Sequence, residues 1–450
     1  MEKLLAVLGI LVGIAFVVLA SPDGTIAVLF VGLLSIPIIF LLRYYSGGNK
    51  FVVQVFFAAL VVRLAFGLLV YYFKQTEFFA GDAVTYDFLG QRLVEVWHGT
   101  ADLRSGFTQR AMATSGPGWG MNYLVGAIYY IFGQSLLVAQ SFCAVVGAAT
   151  APMVYFCSEK LFHNQRVAKT AAVCIALFPS FIIWSSQLMK DGLIIFLLVV
   201  TMTLVVHLQK KFSYLAVFIL IFSLFGIIAL RFYIFYLVII AIVGSFLVGF
   251  GSSAKEIGRN IFVMAILGLS LTYLGVLQNA TQGLDAYGSL EQIQNSRMDL
   301  ATTANTGFGK DVDVSTTEGA LSAIPLGFAY LMLAPFPWEM ANIRQAITLP
   351  EVLAWWALIP IMIYGLWYTI KNRLRDSIAI LIFSLMLTLS YSVFQGNVGT
   401  AYRQRTQIQV FLFIFIAVGW SLIQERRENK KALLQAQKQR QIVRIQQMRT

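Results

Sequence analysis

The feature that most constrains this chain is a succession of long, continuous apolar runs separated by short polar breaks. A hydrocarbon core of ~30 Å takes roughly 20 apolar residues per helix, and the runs have about that length. A transmembrane barrel would alternate apolar and polar residues along each strand, which these runs do not. Composition agrees: 58% of the 450 residues are hydrophobic and 12% are charged, where an ordinary soluble domain carries about 25% charged residues. The fold class implied is an all-α polytopic membrane protein.

Runs near 4–20, 25–42, 51–73, 135–157, 168–186, 192–208, 212–230, 233–250, 260–277, 351–370, 376–393 and 407–423 predict about twelve transmembrane helices. The first, Leu4 to Ala20, follows Lys3 and has the length of a signal-peptide core. A second run follows it at once, so we expect an uncleaved helix. With this count, the breaks holding Arg43 and Lys50, Lys160 with Arg166 and Lys169, Lys210 with Lys211, Lys255 with Arg259, and Lys371 with Arg373 and Arg375 all fall on one side. Positive-inside bias makes that side the cytoplasm, with both termini there and the protein in the cell (inner or plasma) membrane. The net charge of +12 is then a membrane signature, and no nucleic-acid partner is implied. The basic tail, 424–450, has two readings, attraction to anionic membrane lipid or a solvated helix. Cys143, Cys157 and Cys174 lie in apolar stretches without metal-ligand spacing and read as small core residues.

Two long segments, 74–134 and 278–350, are left for the outer face, and they hold most of the acidic residues. Each contains a shorter apolar stretch, Trp119 to Phe132 and Ala320 to Phe336. We expect these to be interfacial or re-entrant helices, because counting either one as a span breaks the charge parity.

The outer segments frame the candidates for chemistry. Asp82, in the run Gly81 to Tyr86, places a carboxylate where the first outer segment leaves the membrane, which suits a general base or a metal ligand. It also suits a helix N-cap ahead of Tyr86, Leu89, Leu93 and Val96, and spacing does not separate the two. Asp191 follows Lys190 at the outer end of another helix, either as a second acid of a site or as a structural partner of Lys190. Arg63 lies within a span, where a cation must face a partner or a cavity. Arg231 beside Tyr233, and Arg403 with Arg405 after Tyr402, sit at outer helix ends. Guanidinium forks there bind phosphate oxygens, or anchor the helix to ordinary phospholipid. Arg63, Tyr86, Lys190, Arg231, Arg403 and Arg405 are thus the substrate-binding candidates. His98, His163 and His207 match no zinc spacing, and the chain carries no Walker, Rossmann or Ser-His-Asp signature. Asn279, Ala280 and Thr281 form a glycosylation triplet of a kind that arises often by chance.

Taken in order, GDAVTY after an early helix, GPGWGMNYLVGAIYYIFGQS, FPSFIIWSSQLMKDG, APFPWE at Ala334 to Glu339 and YRQR before the last helix resemble a family. It is the polyprenyl-phosphate-dependent glycosyltransferases of the GT-C type, in the branch similar to protein mannosyltransferases and aminoarabinose transferases. The likeness covers roughly Phe51 to Ile423. It makes 51–423 a GT-C-like membrane catalytic domain, preceded by two extra helices in 1–50 and followed by the tail. It also implies Asp82 as base, Asp191 as second acid, and Arg403 and Arg405 on the carrier phosphate. The activity implied is inverting transfer of a sugar from a polyprenyl-phosphate donor to a glycan, lipid or protein acceptor on the extracytoplasmic face. No cofactor follows with certainty, and a divalent metal stays open. An outer-face polysaccharide polymerase or ligase using a lipid-diphosphate oligosaccharide is the alternative. A membrane carrier, with Arg63 lining its path, comes third.

Overall fold

In lipid, a backbone satisfies its own N–H and C=O groups only within helices or a closed barrel. The computed structural model of the chain is accordingly helical. It describes residues 13–15, 17–19, 21–114, 118–248, 254–273, 275–276, 278, 281, 288–303 and 305–447, and among these the one extended pairing is an isolated antiparallel bridge between Gly307 and Asn397. The helices run α1 (Pro22–Tyr45), α2 (Lys50–Tyr72), α3 (Thr76–Trp97), α4 (Gly106–Met112), α5 (Trp119–Phe132), α6 (Leu136–Phe162), α7 (Gln165–Leu177), α8 (Pro179–Ser185) and α9 (Lys190–Lys210). They continue with α10 (Tyr214–Val248), α11 (Ala254–Tyr273), α12 (Leu290–Thr303), α13 (Thr317–Leu333), α14 (Ile343–Phe394) and α15 (Val398–Gln447).

Among the described residues, seven helices are long and apolar enough to cross a membrane (α1, α2, α6, α9, α10, α14 and α15), and the bent pair α7 and α8 makes an eighth. The expected span 4–20 and the segment around Asp285 lie mostly or wholly outside the described residues. The count of twelve therefore exceeds what helix length alone supports. Part of the difference is that two of the seven helices double back. α10 breaks at Arg231 (φ −151°, ψ 89°), which meets Asp191 at the start of α9. Farther along α10, the Ser245 carbonyl accepts from Gln209 at the far end of α9. α14 breaks at Arg373 (φ −138°, ψ 23°) beside Asp376, which pairs with Lys210, while Glu351 and Tyr391 on its two arms both meet the first turns of α15. The runs 212–230 and 233–250, and 351–370 and 376–393, are thus the paired arms of two folded helices.

The basic breaks gather at one end. Lys160 lies 3.2 Å from His207, Lys210 donates to the Lys160 carbonyl and Arg259 donates to the Lys210 carbonyl. Arg166 pairs with Glu428, and Lys169 stands over the Phe51 ring. At the opposite end, Phe78 to Gly81 of the first expected outer segment meet Asn305, Thr306, Pro335 and Arg344 of the second.

At the centre lies α6, whose Ala, Gly and Ser residues let neighbouring backbones come close where apolar lipid gives no hydrophobic drive between helices. A Cβ at Gly147 would stand 2.3 Å from the Cβ of Ser185, so the glycine makes room for the end of α8. The expected single span 168–186 breaks at Pro179, with a bend of 55° between α7 and α8. Phe178 is extended, as a residue before proline tends to be, and Pro179 opens α8, where its missing N–H costs no helical bond. The break leaves the last carbonyls of α7 without helical donors. Arg63 supplies them, donating to the Ile175 and Ala176 carbonyls at 3.1 and 3.0 Å and to Ser185 Oγ at 2.8 Å.

Other departures are local. The expected outer segment 278–350 gives up its last residues to α14, which starts at Ile343 under an Asn342 cap and runs through Pro350. α5 has 14 residues and α13 has 17. At 1.5 Å per residue these are about 21 and 26 Å, short of a ~30 Å core. α5 packs on α3, where a Cβ on Gly90 would overlap Val125.

Candidate active site

Stretches far apart in the chain bring the site together at the end opposite the basic breaks. α3 is kinked at Ala80 (φ −147°, ψ 65°), so the helix is re-aimed immediately before Gly81 and Asp82. The Asp82 carboxylate is turned to Arg403, whose Nη1 donates to Oδ2 at 2.8 Å. Among the described residues no backbone N–H donates to it, so its carboxylate is engaged by a cation and not by a helix end. Asp191 is fully buried in the first turn of α9, where the positive end of the helix dipole favours a carboxylate. Its Oδ1 accepts from Arg231 Nη2 at 2.8 Å, and its Oδ2 lies 3.6 Å from Arg403 Nε. Of the two readings of Asp191, the simple pair with Lys190 is not what forms, because two guanidinium groups occupy the carboxylate. The result is a chain of alternating charge, Asp82, Arg403, Asp191 and Arg231. Arg231 closes it through the hydroxyls of Tyr233 and Tyr391 at 3.3 and 3.5 Å.

Lys190 and Tyr86 flank this chain. A Cβ on Gly118 would stand 2.8 Å from Lys190 Nζ and 3.5 Å from the Tyr86 hydroxyl. Gly118 also has φ +79°, in the left-handed region that glycine alone adopts freely, which explains a glycine at this point of the GPGWG stretch. Burial pushes the Tyr86 hydroxyl above its usual range, and the charges of Asp82 and Asp191 push it further. Tyr86 therefore stays protonated and can donate a hydrogen bond.

Beside the charge chain opens a cavity of about 370 Å³. Its walls include Ala80 and Gly81 from the kink of α3, Trp184 from α8, Arg344 and Gln345 from the first turn of α14, Asn397 and Thr400 at the start of α15, and Arg403. A mixed wall of aromatic rings, amides and hydroxyls suits a sugar, and the arginines suit an anion.

Of the six expected substrate ligands only Arg403 lines the cavity; Tyr86 and Lys190 lie near Gly118, and the other three are buried. Arg63 is committed to the carbonyls of α7 inside the bundle and does not line the cavity. Arg405 is also fully buried: it donates to the Met332 and Ala334 carbonyls at 3.1 and 2.9 Å, and its guanidinium stacks 5.0 Å from the Tyr402 ring centre. It tethers the loop after α13, and of the YRQR pair only Arg403 reaches the cavity. Arg231 acts through Asp191 and is likewise absent from the cavity wall. A divalent cation held by Asp82 and Asp191 would need the space that the Arg403 guanidinium fills. Among the described residues no three His, Cys, Asp or Glu side chains converge to hold one, so the residues present do not fit a metal in this arrangement.

Sequence reasoning passed over Arg344 and Glu351. Glu351 is buried at the start of an expected span, the position where an ionisable group signals a role, and it accepts from Ser180 and from Tyr402, the latter at 2.8 Å. Arg344 is one of few cations in an outer segment dominated by acids.

Residues 117–276 match the model of the family described as dolichyl-phosphate-mannose-protein mannosyltransferase, a stretch that includes Gly118, Lys190, Asp191 and Arg231. No curated protein matches the chain. A crystal structure of the Archaeoglobus fulgidus oligosaccharyltransferase in the apo form overlays it with a TM-score of 0.49 and 15% identity, over 86% of this chain and 52% of that one. The chain thus spans about half the length of that protein. Over residues 117–276, the chain is similar to the mannosyltransferase family to which its motifs pointed, the GT-C type of lipid-dependent glycosyltransferase.

Proposed function

We propose that the protein transfers a sugar from a polyprenyl-phosphate donor to an acceptor at the face of the membrane opposite the basic breaks, which makes that face extracytoplasmic and both termini cytoplasmic. The observation that carries this reading is the placement of Arg403 on the cavity wall with Asp82 on its guanidinium. In the reaction, Asp82 takes the proton from an acceptor hydroxyl or amine as that atom attacks the sugar C1. The C1 to phosphate-oxygen bond breaks as the new bond forms, so the centre inverts in a single displacement. The leaving polyprenyl phosphate needs its growing negative charge neutralised, and Arg403 is the cation at hand. A phosphate on Arg403 competes with Asp82 for the same fork, so donor binding frees the carboxylate for the acceptor. Asp191, fixed by Arg231, keeps Arg403 aimed at the cavity after Asp82 lets go. Tyr86 and Lys190 stand near Gly118 beside the charge chain, off the cavity wall. The acceptor is a glycan, lipid or protein that reaches the cavity from the aqueous side, and the natural setting is the cell membrane.

The test is transfer from a polyprenyl-phosphate sugar by purified wild type and Asp82→Asn. General-base assistance is typically worth 10²–10⁴-fold, so the variant should lose about that much rate while still binding donor. A near-normal rate would remove Asp82 from the chemistry.

A further inference from the structure

Arg403 is not the only cation on the cavity wall. Arg344 shares it, and no carboxylate appears among the lining side chains. The guanidinium of Arg344 stacks on the Phe78 ring, 4.6 Å from its centre, and Phe78 packs in turn on Phe79 at 4.8 Å. Some other arginines at the surface are neutralised, Arg92 by Glu95, Arg166 by Glu428 and Arg373 by Asp376. Arg344, by contrast, makes no ion pair with any described residue. A guanidinium lying on an aromatic face keeps its N–H groups directed outward in the ring plane, free to take two oxygens at once. Phe78 belongs to α3, four residues before Asp82, and Arg344 belongs to the first turn of α14. The stack therefore ties α3 to α14 at the cavity wall.

We propose that Arg344 binds a second anionic group of the substrates, so that the cavity takes negative charge at two points, Arg403 and Arg344. This deepens the reading in which Arg403 takes the donor phosphate and rests on it. The shared chemistry is a phosphate-like anion. It comes either from the second phosphate of a lipid diphosphate donor or from an anionic group on the acceptor sugar. The amides and hydroxyls that share the wall with the two cations, from Asn305, Thr306, Asn397 and Thr400, suit a hydroxyl-rich ligand joining those charges.

The experiment compares detergent-purified wild type and Arg344→Gln for binding of farnesyl phosphate, farnesyl diphosphate and, with farnesyl phosphate saturating, glucose 6-phosphate. Losing one charge-assisted contact should weaken the relevant ligand by about tenfold or more. If wild type prefers the diphosphate and Arg344→Gln abolishes that preference with farnesyl phosphate affinity unchanged, the second anion is the donor's. If the diphosphate is not preferred but Arg344→Gln weakens glucose 6-phosphate, the second anion is the acceptor's. Unchanged affinity for both in Arg344→Gln overturns the proposal. Arg403→Ala in the same assay tests the underlying reading separately, since only that reading requires it to lose farnesyl phosphate.

Discussion

Arg403 stands between two carboxylates, with Nη1 2.8 Å from Asp82 and Nε 3.6 Å from Asp191, and the two acids are not equivalent. The Asp82 side chain is 46% exposed, whereas that of Asp191 is 0% exposed and faces the buried Arg231. One carboxylate can be approached by a substrate. The other holds the cation in place.

The first expectation follows from that inequality. Asp191→Asn leaves Arg231 buried against a neutral amide, and breaking a buried pair from one side typically costs about 3–5 kcal/mol. Thermal unfolding should show a clear drop for Asp191→Asn and little change for Asp82→Asn. Equal stability of the two variants would contradict the buried pairing.

The two arginines of YRQR should separate in the same way. Arg403→Lys keeps the charge but loses the fork, so affinity for a polyprenyl phosphate should fall by about tenfold. Arg405→Lys should leave that affinity near wild type and lower the melting temperature instead, because the Met332 and Ala334 carbonyls lose their donor. A ligand-binding titration alongside a melting curve distinguishes the patterns, and donor affinity lost only in the Arg405 variant would reverse the assignment.

Arg63→Met should destabilise the bundle without touching the chemistry. Each buried carbonyl left without a donor costs about 1–3 kcal/mol, and Ile175 and Ala176 both depend on this side chain. Donor affinity per folded molecule should stay unchanged. A selective loss of donor binding in a variant of normal stability would return Arg63 to the substrate site.

The sidedness proposed for the chain is open to labelling of introduced cysteines. Cysteines replacing Asp102 and Asp311, both exposed, should react with an impermeant reagent from outside intact cells, and one replacing Arg427 should react only after permeabilisation. The reverse pattern would invert the topology and the function built on it.

Much of this arrangement was legible before the structure, for a physical reason. Hydropathy and charge act residue by residue, so the folded arms of α10 and α14 appeared as paired runs, with Arg231 and Arg373 at the breaks between them. The candidacy of Asp82, Asp191 and Arg403 followed from depth and motif, which are also local. What stayed hidden was partner choice. Nothing in the sequence around Arg63 says that its acceptors are carbonyls freed by Pro179, and nothing in YRQR says which arginine turns inward. Arg344 was missed because the helix there begins earlier than a reading of Pro350 as a boundary allows, and Glu351, although inside the expected span, because its partners Ser180 and Tyr402 lie far away in the chain.

The contact between Arg63 and the end of α7 also bears on biogenesis. The guanidinium and the Ile175 carbonyl it serves are 112 residues apart in the chain. At 5–20 residues per second, on the order of ten seconds of translation separates them. Throughout that interval α2 carries a membrane-depth cation whose one native acceptor already made is the Ala59 carbonyl of its own helix, at a cost of roughly 2.5–3.5 kcal/mol by insertion scales. A helix in that condition favours a site beside the translocon or along a water-filled groove over free release into lipid. The N-terminal helices should therefore remain provisional until the Pro179 break emerges, and the arginine that secures the bend also sets the order in which the bundle closes.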